Sequence, residues 1–256
     1  MRDIATLSAL AVLLAASAFG QAQSPPAKPI DPFEAIADAL GTHRVVGVGE
    51  GAHRGEQDSA FRLALIRHSR VAERAQDIVT ECGNSRYQDV MDRYIRGEDV
   101  PSALLRRTWE DSIVATTICD STVYRDFFAA VRHVNAGRSR DRQWRVLLAG
   151  PPIDWDAVRT FDDITKFEAG RDRFAVELIR REVLSKGRRA LVLFGRIHML
   201  LRNERDNYES AGWLAALLEA GGVPVFKIWT AVGGFDLGAI QDDVRAWRVP
   251  SLVLIR

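Results

Sequence analysis

Two histidines and two glutamates stand where apolar runs of this sequence end. Glu50 and His53 lie three residues apart in Gly49-Glu50-Gly51-Ala52-His53-Arg54-Gly55, directly after Val45-Val46-Gly47-Val48. Glu81 closes Asp77-Ile78-Val79-Thr80-Glu81, and His198 follows the run from Arg189 to Phe194 in Gly195-Arg196-Ile197-His198. An imidazole beside a carboxylate can take a proton from water, because the carboxylate fixes the tautomer and stabilises the imidazolium that forms. A second histidine could then stabilise the developing oxyanion, and no serine nucleophile is needed. The same two His and two Glu could instead hold a divalent metal that lowers the pKa of its bound water. Residue types and spacing leave both chemistries open.

Such residues act together only if the elements carrying them share an edge. Asp31-Pro32 starts a helix over 32–40, with Gly41 as its stop. A strand over 44–49 follows, then a helix over about 57–69 with Phe61, Leu65 and Ile66 at helical spacing. After the strand 77–81 come a helix from Ser85 to about Arg96 and another through Leu104 and Trp109. Val123, Phe127, Phe128, Val131 and Val134 form one apolar helical stripe closed by Gly137. The third strand spans 144–148 and ends at Gly150-Pro151-Pro152-Ile153-Asp154-Trp155. A helix over 167–186 turns Phe174, Leu178 and Val183 inward and spaces Arg173, Glu177 and Arg181 for i,i+4 pairs outside. Strands over 189–194 and 223–229 flank a helix around 209–220, and 251–255 could add a sixth strand. Short apolar strands separated by amphipathic helices predict an α/β fold, a mainly parallel central sheet of about five to six strands with helices on both faces. In such a sheet Glu50, His53, Glu81, Asp154 and His198 all leave strands at the same edge, where open α/β sheets bind ligands.

Composition bounds the rest. At 256 residues, 47% hydrophobic and 27% charged, the chain suits one sizeable domain. A net charge of +1 gives neither a nucleic-acid footprint nor a polybasic membrane patch. Arg2, an Ala/Leu-rich run from Ile4 to Ala16 and Ala18-Phe19-Gly20 read as a signal peptide over 1–20, followed by a proline-containing linker over 21–30 and a single α/β domain over 31–256. The apolar run is short for a membrane span, so the expectation is a periplasmic or secreted protein without a stable anchor after cleavage.

Several readings compete with a hydrolytic site. Gly47-Val48-Gly49-Glu50-Gly51-Ala52 fits the dinucleotide fingerprint, but Glu50 would put a negative charge beside a pyrophosphate, and Glu81 lies well beyond the roughly 20 residues at which the ribose-binding acid is expected. Glu81 could cap a helix, and Asp154 in its proline-rich turn could bond its own backbone. His43, His68 and His133 are given no role.

The motifs Gly49-Glu50-Gly51-Ala52-His53-x-Gly55, Glu81 and Gly195-Arg196-Ile197-His198 resemble the superfamily of erythromycin esterases, ChaN-type haem-uptake proteins and TIKI-type metalloproteases. The resemblance spans roughly 43–230 and extends to Glu81-Cys82-Gly83-Asn84-Ser85-Arg86-Tyr87-Gln88-Asp89, as in an uncharacterised exported bacterial branch. It implies active-site positions at Glu50, His53, Glu81 and His198, and matches Arg62 to a basic position able to stabilise an oxyanion. The implied activity is hydrolysis of an ester, lactone or amide in a small-molecule or peptide substrate. The alternative is haem or iron binding of the ChaN type, with the histidines as ligands; a divalent metal on Glu50, His53, Glu81 and His198 is the TIKI-like variant. A third is a non-catalytic relative, since Arg196 puts a bulky cation beside His198. The chain is much shorter than a typical erythromycin esterase, which points to a reduced helical insert and away from macrolide inactivation. Cys82 and Cys119 stand where this branch usually has aromatic residues; they could form a disulfide, as exported cysteines do, or remain two buried thiols.

Overall fold

Five apolar runs become five strands, β1 (Val45–Glu50), β2 (Asp77–Asn84), β3 (Arg145–Gly150), β4 (Ala190–Gly195) and β5 (Val225–Trp229), all parallel in the order β3-β2-β4-β1-β5. The computed structural model describes residues 28–51, 55–113, 118–119, 122–200, 212–230, 247 and 250–252. His53, the expected signal peptide and most of the linker lie outside the described residues, as do 253–255 of the expected sixth strand. Leu252 does pair with Ile30 in an isolated antiparallel bridge, so the linker's last residue belongs to the fold. No helix among the described residues is long and apolar enough to cross a membrane.

Strand alternation sends alternate side chains to opposite faces. Val46, Val48, Ile78, Val146, Leu148, Leu191 and Leu193 face one core with α1 (Pro32–Thr42), α2 (Glu56–Arg67), α3 (Ser69–Arg74), α4 (Gln88–Ile95), α5 (Ser102–Glu110) and α6 (Thr122–Ala136). Val45, Val79, Leu147, Ala149, Ala190, Val192 and Phe194 face the other, covered by α7 (Phe161–Ile179) and α8 (Leu214–Ala220). Helices on both faces are what a parallel sheet needs, because its crossovers cannot be tight turns.

Local chemistry explains most boundaries. Asp31 accepts from the amides of Phe33 and Glu34, and Pro32 opens α1, which runs through the expected stop at Gly41 to Thr42. The single helix expected over 57–69 is divided at His68, whose extended backbone separates α2 from α3. The helix expected over 167–186 starts earlier and finishes in a π-helical turn, Arg180–Leu184. Arg181 there pairs with Glu182 at 3.1 Å.

Glycine matters most in β1. A Cβ on Gly47 would lie 2.4 Å from Met199 Sδ, and one on Gly49 would lie 2.9 Å from the Cα of Arg196. The two glycines therefore let the tight turn Arg196–Met199 lie directly against β1, which brings His198 to the sheet. At the end of β2 the register slips between Thr80 and Asn84, and Gly83 and Gly150 approach so closely that a Cβ on Gly150 would meet Gly83 O at 2.3 Å.

Candidate active site

The carboxyl ends of β1, β2 and β4 carry two buried ionic clusters, one on each face of the sheet. Glu50, the last residue of β1, has the parity of Val46 and Val48 and faces the helices α1–α6. Its Oε1 accepts from Arg62 Nε and Nη2, both at 2.6 Å, and the two side chains are 5% and 2% exposed. The Arg62 guanidinium lies 4.9 Å over the ring of Tyr124 and 5.5 Å from that of Phe127. Burial works against the charge on Arg62, but Glu50 outweighs it and its pKa rises above the ordinary guanidinium value. Tyr124 is held as the neutral phenol, first by burial and then by the charge of Glu50.

Glu81 has the opposite parity and faces α7. Its Oε2 accepts the Gly195 amide at 2.7 Å, while its Oε1 lies 3.2 Å from His198 Nε2 and 3.5 Å from Arg171 Nη1. On the far side of the imidazole, His198 Nδ1 donates to Asp172 Oδ2 at 2.7 Å, and the same oxygen accepts the Leu214 amide at 2.7 Å. The ring is packed edge-on by Phe194 at 5.4 Å and Trp213 at 5.5 Å. Burial alone would drive a proton off His198. The charge of Glu81 and the bond to Asp172 overcome it and raise the pKa to about 9, so the ring is an imidazolium at neutral pH. Arg171 Nη2 also stands 3.2 Å from His198 Nε2. With both nitrogens protonated, that approach joins two donors, and Glu81 is the acceptor between them.

Gly195 links the clusters, for Glu50 lies beside it in the sheet register and Glu81 binds its amide from the other neighbouring strand. Four of the five side chains expected at this edge are therefore described there; His53 lies outside the described residues. Asp154 is at the edge but pairs with Arg86 at 3.0 Å and accepts the Asp156 amide at 3.2 Å, the turn role open to it in the sequence. His68 stacks on Phe33, His43 packs against Phe226, and exposed His133 lies on α6. The glycines of the dinucleotide-like motif are accounted for by packing of Met199 and Arg196.

Asp172, Arg171 and Asn84 have no place in the site as the sequence presents it. Asp172 falls at helical spacing with buried Ala175, Val176, Ile179 and Val183, so an acid on an apolar stripe was the available signal. Asp58 and Arg62 likewise share the buried stripe of Leu65 and Ile66 on α2. Fully buried Asn84 donates to the carbonyls of Asp111 and Ile153 at 3.0 and 2.8 Å and accepts the Arg86 amide, tying three loops beneath the site. A disulfide joins Cys82 to Cys119, which connects the end of β2 to the segment before α6.

The described members of the expected metal set do not fit one metal. Each glutamate faces a guanidinium, both ring nitrogens of His198 face carboxylates, and no group of three His, Cys, Asp or Glu with metal-holding geometry occurs among the described residues.

No protein-family model and no curated protein matches this chain. Among solved structures it is similar to RRSP, a MARTX toxin effector domain from Vibrio vulnificus CMCP6, with 15% identity, a TM-score of 0.48, and coverage of 77% of this chain and 35% of that one. A structure described as of bacterial protein toxins gives 17% identity, a TM-score of 0.47 and coverage of 77% and 36%. The C-terminal region of Pasteurella multocida toxin, described as having a thiol-protease-like catalytic triad, gives 10%, 0.43, and coverage of 65% and 21%. The chain thus spans about a third or less of the length of these proteins. Likeness at this level assigns no chemistry. The two cysteines of this chain are bonded to each other, which leaves no thiol nucleophile.

Proposed function

We propose that the chain is an exported hydrolase of the erythromycin-esterase, ChaN and TIKI type, acting through water on an ester, lactone or amide bond. The observation that carries this reading is His198, buried as an imidazolium between Glu81 and Asp172 at the carboxyl end of β4, one strand away from the Glu50–Arg62 pair. Burying so many charges costs several kcal/mol per ion before pairing offsets it, and apolar replacements often serve stability as well. Chemistry is a reason to keep them. The disulfide supports export, because such bonds persist in oxidising compartments.

In this reaction a water oxygen attacks the carbonyl carbon while its proton passes to His53, three residues after Glu50 in sequence. His198, protonated until about pH 9, then gives its Nε2 proton to the leaving oxygen or nitrogen as the carbon–heteroatom bond breaks. Glu81 and Asp172 stabilise the charge on His198 before that transfer, and Arg62 pairs with Glu50.

The test is hydrolysis of a panel of esters, lactones and peptides by the purified protein, with and without chelator, beside His53→Ala. The expected result is turnover that survives the chelator and falls roughly 100-fold or more in the variant. Equal background from both proteins across the panel refutes the hydrolase reading.

A further inference from the structure

The two arginines at the site are used very differently. Arg62 places both Nε and Nη2 at 2.6 Å from one Glu50 oxygen and is 2% exposed, so its fork is committed to a carboxylate inside the core. Arg171 is 22% exposed, whereas Glu81, Asp172 and His198 beside it are 7%, 8% and 1% exposed. Its nitrogens stand 3.5 Å from Glu81, 3.7 Å from Asp172 and 3.2 Å from His198 Nε2. Charge-assisted bonds that are well made are about 2.7–2.9 Å long. Arg171 is thus held in place by attraction to two carboxylates without closing a bidentate pair with either. It is also the most exposed member of this cluster.

We propose that Arg171 is a further catalytic residue, binding the carbonyl oxygen of the substrate and the oxyanion that oxygen becomes, a role Arg62 does not fill because Glu50 occupies it. The proposal rests on the hydrolase reading and adds to it the donor for the developing charge. Among the described residues, the charged and titratable groups facing Arg171 and His198 are Glu81 from β2 and Asp172 from α7, while Phe194 and Trp213 supply the apolar wall. An oxygen arriving at Arg171 meets the guanidinium beside the imidazolium of His198, whose Nε2–H faces Glu81 Oε1, at the more exposed side of an otherwise buried cluster. Preorganised donors are strongest in such a site. Asp172 serves as the positioning residue, since its Oδ2 holds Nδ1 of His198 and the Leu214 amide together and so keeps Nε2 at Glu81, beside Arg171.

The test pairs a kinetic arm with a binding arm. On any substrate the wild type turns over, Arg171→Met is expected to lower kcat/KM by about 100-fold or more, with Arg171→Lys recovering part of the loss. In parallel, methylphosphonate, a small anionic mimic of a tetrahedral intermediate, is titrated into each protein while the His198 ring resonances are followed by NMR. Saturable shifts in the wild type that vanish in Arg171→Met, with an unchanged urea midpoint, support the proposal. Absence of wild-type binding, or binding and turnover that persist in Arg171→Met, overturns it. The binding arm needs no turnover, so loss of the hydrolase reading is distinguished from loss of this one.

Discussion

His198 ties stability to pH in a direction opposite to that of an ordinary buried histidine. Burial by itself lowers an imidazole pKa and makes protonation destabilising. Here Glu81 at 3.2 Å and Asp172 at 2.7 Å reverse that and raise the pKa from 6.5 to about 9. The folded state therefore binds this proton more tightly than the unfolded chain. Its contribution is fully present below the unfolded value of 6.5 and is lost as pH climbs through the folded value of about 9. The gap corresponds to about 3 kcal/mol at roughly 1.4 kcal/mol for each pH unit. The perturbation is His198→Gln, which keeps polar atoms but cannot take a charge, and the assay is urea unfolding of both proteins at about pH 5.5 and pH 9.5. Groups remote from His198 titrate alike in both chains and cancel in the comparison, whereas Glu81 and Asp172 are coupled to His198 and are read together with it. The stability advantage of the wild type is expected to shrink by about 3 kcal/mol between the two conditions. A constant difference, or a His198 resonance that titrates near the free-histidine value, would refute the assignment of the buried imidazolium. Activity should follow the same limb and decline as pH passes about 9, because the proton donor is then gone.

Two further predictions concern the other face of the sheet. Arg62→Met leaves Glu50 buried without its guanidinium partner and should cost about 3–5 kcal/mol in urea unfolding, whereas the double variant Glu50→Gln/Arg62→Met should recover much of that; equal losses in both would show that the pair is not coupled. Replacing both Cys82 and Cys119 by Ser releases a closed loop spanning a sequence separation of 37 and should lower stability by about 2–4 kcal/mol. An unchanged melting temperature in the oxidised and reduced wild type would contradict it.

The fold was legible because its signals are local. Apolar runs bounded by glycine and proline mark strands, and Asp31-Pro32 marks a helix start whatever the rest of the chain does. The edge that gathers Glu50, Glu81 and His198 also follows from sequence once the strands are taken as parallel. What sequence order hides is parity and partnership. Whether Glu81 shares a face with Glu50 depends on which side of a strand each occupies, and one residue separates the two outcomes. The expected imidazole–carboxylate contact was between His53, which lies outside the described residues, and Glu50 or Glu81. The structure gives Glu50 to Arg62 and brings Asp172 to His198 from 26 residues away. That pairing depends on how α7 packs against β3 and α8 on this face of the sheet. The sequence carries only the mark of an acid at position 172 on a stripe otherwise lined by Ala175, Val176 and Ile179.

The division between the faces also separates two demands on the same edge. On the side of α2 and α6, the Glu50–Arg62 pair sits under Tyr124 and Phe127, next to a strand end tied by Cys82–Cys119, and its short contacts leave little freedom. On the side of α7, the contacts of Arg171 are longer and its exposure greater, although Asp172 beside it on the helix is tightly bonded. A hydrolytic site needs both properties, because a carbonyl oxygen that gains charge must meet donors that are fixed in place but not already spent. Glycines at 47 and 49 make this arrangement reachable. A Cβ at Gly49 would meet the backbone of Arg196 at 2.9 Å, lifting the His198 turn off β1 and away from the carboxylate of Glu81 that keeps it charged.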